Sequence, residues 1–158
     1  PGPQLATSFL LWATLVASFA SSSHTGPGVQ RAATAIGVTA VLLGAWLRVT
    51  AIRTLGERFL SSPAPLRGAE LETRGVYAHL RHPSETGIVL IACGAVLATL
   101  SPVALVLATG LAALVWWRVR VEDRHLRTEF GPAHAHYVAR VPGLVPWRGY
   151  SVRATHVR

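Results

Sequence analysis

The chain has no lysine, no methionine, one cysteine and few charges of any kind. Charged residues fill 14% of its 158 positions, where an ordinary soluble domain carries about a quarter. No Asp, Glu, Lys or Arg occurs between positions 2 and 30, and none between 87 and 117. A soluble helix of that length needs a solvated face, so these stretches argue against a water-soluble domain. They describe a small all-α, polytopic membrane protein of one domain. The lone Cys93 sits inside an apolar run, which excludes an intramolecular disulfide and leaves it a packing role. The missing initiator methionine predicts an N-terminus that has been processed or trimmed.

What charge there is has one sign and one place. The net charge is +8, from fifteen arginines against seven acids. Nucleic acid is a common partner for such an excess. Here the arginines cluster at the ends of apolar segments, where they set topology and meet anionic head groups, so no nucleic-acid role is assigned.

Four apolar segments are predicted to span, at 5–20, 29–50, 83–100 and 103–121. At about 1.5 Å per residue each approaches a hydrocarbon core of roughly 30 Å. The first also resembles a signal peptide, with Ala17-Ser18-Phe19-Ala20 as the cleavage site, but no basic residues precede it, so a retained helix is expected. Residues 21–28 read as a turn. In the second, Gly37 and Gly44 with Ala33 and Ala40 form a small-residue stripe for close helix packing, and Trp46 and Arg48 anchor its end. The last two form a tight hairpin (83–121) with its tip at Ser101-Pro102, and Trp116 and Trp117 mark its return to the interface.

Between them lies a polar connector, 51–82, with turns expected at Pro63-Ala64-Pro65 and Arg67-Gly68. A polar tail, 122–158, follows the hairpin. There Arg118, Glu122, His125 and Glu129 share one helical face up to Phe130, and Gly131-Pro132 stops the helix. A short helix from His134 to Val141 follows, and Trp147 returns to the interface. Only Arg31 lies near the first loop, so the positive-inside rule puts the connector, the tail and both termini in the cytoplasm.

The densest polar cluster is 75–87, which runs directly into the third span. Arg81 and His82 precede Pro83 at the positive end of that helix. Glu85 sits just inside its membrane end, where a carboxylate is costly unless paired or protonated. Tyr77 and His79 lie upstream, and Glu122 and Asp123 face the cluster from across the hairpin. Arg81 and His82 can also simply snorkel, and Glu122 and Asp123 can pair with Arg118, Arg124 or Arg127 on their own helix. Brought together, the acids and the Arg-His pair suit a zwitterion, such as the amino-acid end of a small molecule. His134 and His136 fall about 200° apart on a helix and lack cysteine partners, so no metal is assigned.

These residues carry a resemblance. Gly75-Val76-Tyr77, Arg81-His82-Pro83, Gly87, Glu122-Asp123, Leu126, Phe130-Gly131, His136-Tyr137 and Val141-Pro142 occur in order around a membrane hairpin. Leu55-Gly56 and Leu71-Glu72-Thr73 fit upstream. The set, over roughly 45–147, resembles the isoprenylcysteine carboxyl methyltransferase and phospholipid methyltransferase superfamily. The resemblance implies methyl transfer from S-adenosylmethionine, leaving S-adenosylhomocysteine, to a lipophilic acceptor delivered from the bilayer. It implies cofactor contacts from Tyr77, Arg81, His82, Pro83, Gly87, Glu122 and Asp123. Read from the residues themselves, Glu85 and Arg81 are the catalytic candidates. The chain departs from the family pattern at Glu85, where tyrosine is usual, and at Asp123, where a second glutamate is usual. Glu85 is then a candidate base, or an anionic partner for a cationic acceptor. Two other readings compete: a nicotinamide-dependent membrane reductase of similar architecture, and a small non-catalytic membrane scaffold.

Overall fold

The computed structural model describes residues 2–20, 26–56 and 71–145. The turns expected at 63–65 and 67–68, most of the 21–28 turn, and Trp147 lie outside the described residues. Among those described, the chain is helical with no strand: α1 (Gly2–Ala20), α2 (Pro27–Leu55), a single 3-10 turn (Gly75–Ala78), α3 (Pro83–Thr99) and α4 (Pro102–Arg140).

Three helices begin on proline at the first or second helical position, where its missing N–H costs nothing and its fixed φ suits the helix. α2 runs past the expected end at Thr50 to Leu55, with Arg53 favourably placed near its C-terminal dipole. It stops at Gly56, which takes φ 56° and donates its N–H to Ile52. α3 ends where Leu100 turns left-handed (φ 51°). Ser101 then caps α4 by accepting the Ala104 N–H at 3.1 Å.

As the shared helical face from Arg118 to Phe130 leads one to expect, α4 continues unbroken from the apolar hairpin to Phe130. Nothing at Val121 interrupts its backbone ladder. The break comes at Gly131 (φ 45°, ψ −117°), a conformation suited to glycine, followed by Pro132, which has no N–H to give. After Arg140 the chain leaves the helix, and residues 141–145 fold back toward the start of α3.

Two of these helices, Pro27–Leu55 and Pro102–Arg140, are long and apolar enough to cross a membrane, while the apolar helices Leu5–Ala20 and Pro83–Thr99 are shorter. The packing is the reverse of a soluble core. Phe9, Trp12, Phe19, Leu42, Trp46 and Val106 are mostly exposed, while Thr7, Thr14 and Ser18 line the inner face of α1. Thr14 and Ser18 satisfy their hydroxyls on carbonyls four residues back. Large apolar side chains on the outside suit lipid, not water.

α2 and α3 pack most extensively. An added Cβ on Gly37 would lie 2.4 Å from the Gly94 oxygen, and one on Gly44 would lie 2.7 Å from the Gly87 oxygen. The pairs run antiparallel, each helix advancing seven residues between crossings. Small residues there let the two backbones touch. Gln30 and Thr34 both donate to the Ala98 carbonyl at 2.9 Å, fixing the far end of the pair. α4 joins through Leu111, Val115 and Val119, packed on Ile88 and Ala92, with Leu10 and Leu11 of α1 against them. The crossings set the depth of the first turn of α3 relative to Arg48.

Candidate active site

The polar groups converge at the first turn of α3. His82 is its N-cap but makes no side-chain cap bond, leaving its ring for other partners. His82 Nε2 lies 3.0 Å from Asp123 Oδ1, and Nδ1 lies 3.7 Å from Glu122 Oε2. Arg81 Nη1 donates to both oxygens of Asp123, at 2.8 and 2.9 Å. Its Nε donates to the Val141 carbonyl at 3.1 Å.

The backbone then closes the turn. Arg81 and His82 donate N–H to the Pro142 and Gly143 carbonyls at 2.9 and 3.3 Å. Thr86 Oγ1 donates to the Leu144 carbonyl at 2.8 Å. Residues 141–144 are thus strapped across the mouth of the hairpin. Below the strap, the Tyr137 hydroxyl donates to the Tyr77 carbonyl at 2.6 Å, tying the last turns of α4 to the 3-10 turn.

Deeper in the bundle, Glu85 Oε1 lies 3.2 Å from Arg118 Nη2. Arg118 Nη1 donates to Thr7 Oγ1 at 2.7 Å. Arg48 Nη1 donates to Ser84 Oγ at 2.9 Å. Glu85 Oε2 is buried and has no hydrogen-bond partner among the described residues.

The electrostatics follow from this crowding. Burial works to raise the Asp123 carboxyl, but the hydrogen bonds and charges of His82 and Arg81 outweigh it and hold it below the ordinary range. The buried His134 imidazole, 3.6 Å from Asp123, is pushed below its ordinary value chiefly by desolvation. Burial, aided by the Glu122 charge, drives the Tyr77 phenol well upward, and burial pushes Tyr137 up to about 12. Both phenols therefore stay protonated donors at neutral pH.

The structure brings Tyr77, Arg81, His82, Pro83, Glu85, Glu122 and Asp123 to one end of the bundle, though not all in one role. Arg81 and Asp123 are spent on each other. Glu122 is half exposed and opens toward solvent. Gly87 lies at the α2 crossing, where an added Cβ would meet the Gly44 oxygen at 2.6 Å, and Pro83 starts the helix. Asp123 reaches across to Arg81 and His82 rather than along its own helix. Sequence reasoning missed Thr7, Ser84 and the pairing of Glu85 with Arg118. One signal was available for Arg118: a carboxylate at a membrane edge requires a partner from a neighbouring helix.

Comparison with known proteins gives this geometry its context. The phospholipid methyltransferase family profile matches residues 32–133, from early in α2 to just past the kink in α4. The chain belongs to this family. It is 35% identical over 118 residues to protein-S-isoprenylcysteine O-methyltransferase B of Arabidopsis thaliana. That match covers 70% of this chain and 58% of the relative. It is 32% identical over 111 residues to the Schizosaccharomyces pombe protein-S-isoprenylcysteine O-methyltransferase, covering 66% and 45%. A solved eukaryotic intramembrane Ras methyltransferase, an isoprenylcysteine carboxyl methyltransferase, superposes with a TM-score of 0.64 at 25% identity. That match covers 95% of this chain and 55% of the other. The family member thus spans about half the length of the relatives it matches. With its outward apolar helices and an intramembrane relative, it is an integral membrane protein.

Proposed function

We propose that this chain transfers a methyl group from S-adenosylmethionine to a lipophilic acceptor that reaches it through the bilayer, releasing S-adenosylhomocysteine. The site faces the cytoplasm, with both termini on that side and all four apolar helices crossing the membrane, consistent with the arginines on the connector and tail. The relatives named above are methyltransferases, one of them intramembrane.

The observation that carries the reading is the meeting of the two halves of the motif set. Arg81-His82, before the hairpin, touch Glu122-Asp123, after it. The methionine end of the methyl donor is a zwitterion, and the residues here fit one. Glu122 is the half-exposed carboxylate suited to its ammonium group. The first turn of α3, uncapped by its own N-cap side chain, together with His82, suits its carboxylate. Arg81 and Asp123 hold the strap 141–144 over this turn. The donor supplies an electrophilic methyl group. The protein's share is to position it in line with the acceptor and keep water away, work suited to a polar cluster strapped at a bundle end.

Calorimetric titration of the purified chain with S-adenosylhomocysteine and with NADPH tests the reading. S-adenosylhomocysteine is expected to bind, and Glu122→Ala is expected to weaken it by at least about fivefold, from the loss of one ion pair worth roughly 1 kcal/mol. Binding of NADPH alone identifies a nicotinamide enzyme instead. Binding of neither indicates a non-catalytic protein.

A further inference from the structure

Glu85 holds a half-used carboxylate. Oε1 pairs with Arg118 at 3.2 Å, while Oε2 is buried with no hydrogen-bond partner among the described residues. Both terminal nitrogens of Arg118 are committed, Nη2 to Glu85 and Nη1 to Thr7. Arg48 Nη1 is engaged by Ser84. A buried acceptor atom left unsatisfied is destabilising and is retained where something uses it. Glu85 stands in the first turn of α3, three residues after the N-cap His82 that contacts Asp123, so it shares that end of the bundle with the acidic pair.

We propose that Glu85 is the proton acceptor of the reaction and that the acceptor presents a protic nucleophile, X–H, where X is an amine nitrogen, a thiol sulfur or a hydroxyl oxygen. This rests on the methyl-transfer reading above. A hydrogen on X would satisfy Oε2. A carboxylate acceptor would set two like charges together in a low-dielectric site, with Arg118 already occupied.

The step balances. X forms a bond to the methyl carbon as the donor's carbon–sulfur bond breaks, and that electron pair stays on sulfur. The X–H bond breaks, its electrons stay on X, and its proton goes to Glu85 Oε2. A cationic donor and an anionic carboxylate become a neutral thioether and a neutral acid, so charge is annihilated where solvation is poor. Arg118, held by Thr7, is a positioning residue that fixes Oε1 and leaves Oε2 to the acceptor.

The test uses the full chain in lipid nanodiscs with radiolabelled S-adenosylmethionine and four acceptors: dodecylamine, dodecanethiol, dodecanol and N-acetyl-S-farnesylcysteine. Label is expected on one of the three protic probes. With that probe, Glu85→Gln is expected to lower kcat by about a hundredfold or more. Glu85→Asp, which keeps a carboxylate, retains part of the rate. Two readouts besides turnover accompany this. Affinity for S-adenosylhomocysteine stays unchanged in Glu85→Gln, which also shows that the variant is folded, whereas affinity for the active protic probe falls. Label on the farnesylcysteine carboxylate alone, label on no protic probe while S-adenosylhomocysteine binds, or an unchanged kcat in Glu85→Gln overturns the proposal. Failure of the wild type to bind S-adenosylhomocysteine is a different result, and removes the methyl-transfer reading with it.

Discussion

Replacing Gly87 by alanine puts one methyl group where two helix backbones touch. The new Cβ would sit 2.6 Å from the Gly44 carbonyl oxygen, 3.0 Å from Arg48 Cβ and 3.1 Å from Arg48 N. The closest contact is backbone, which cannot rotate away, so α2 and α3 must separate by several tenths of an ångström. Overpacking of this kind costs about 1–3 kcal/mol. Gly110→Ala is the control: it lies within α4, and its Cβ would have nothing within 4 Å. There alanine removes the backbone-entropy disadvantage of glycine, worth about 0.5–1 kcal/mol. Unfolding in mixed micelles, followed by tryptophan fluorescence, is expected to show Gly87→Ala clearly less stable than wild type and Gly110→Ala at least as stable. Because Arg48 moves with α2 and holds Ser84, Gly87→Ala also disturbs the first turn of α3. A Gly87→Ala protein of wild-type stability that has lost only S-adenosylhomocysteine binding would refute the packing argument and make Gly87 a ligand contact.

Three further outcomes are expected. Tyr137→Phe removes the 2.6 Å bond to the Tyr77 carbonyl and leaves that buried acceptor unpaired, a loss of about 1–3 kcal/mol; hydrogen exchange should show faster opening of residues 75–78 with α2 unaffected. The strap should loosen in acid in two stages. His134 has a lowered folded-state pKa, so its contribution is present above its unfolded value of about 6.5 and is lost as pH falls below it, and Asp123, also lowered, loses its contribution as pH falls below about 3.9. Limited proteolysis after Arg140 should accelerate between pH 7.5 and 5.5, and His134→Gln should flatten that first stage. Thr7→Val takes the oxygen from Arg118 Nη1 and should lower kcat severalfold with little change in S-adenosylhomocysteine affinity; an unchanged kcat would show that α1 does not help position Arg118.

Much of the helical plan was legible because it rests on local chemistry. Uncharged runs marked the apolar helices, Pro83 marked the start of the third, and Ser101-Pro102 marked the hairpin tip. The stripe at Gly37 and Gly44 was visible, but its counterpart at Gly87 and Gly94 was not, because pairing between helices is a tertiary property. α2 stays helical to Leu55, beyond the apolar span read to Thr50: polarity marks where a helix leaves an apolar environment, not where its hydrogen bonds stop. α4 likewise carries on past the apolar span's end at Val121, as the face from Arg118 to Phe130 indicates, and breaks at Gly131-Pro132. In the site, the motif residues were identifiable and their partners were not. Arg81 and Asp123 read separately as ligand contacts, yet the fold pairs them forty-two positions apart. Thr7, more than a hundred positions from Arg118, carried no local signal at all.

Methyl transfer to a molecule held in the membrane, the function proposed above, leaves a product that can be followed by its label. The most direct measurement incubates the purified chain in nanodiscs with methyl-labelled S-adenosylmethionine and a membrane extract of the native host, then separates lipid-soluble from water-soluble label. Label is expected in one lipid-soluble product, formed with stoichiometric S-adenosylhomocysteine and reduced in Glu122→Ala. No labelled product, from protein shown to be folded by its unfolding transition, would contradict that function.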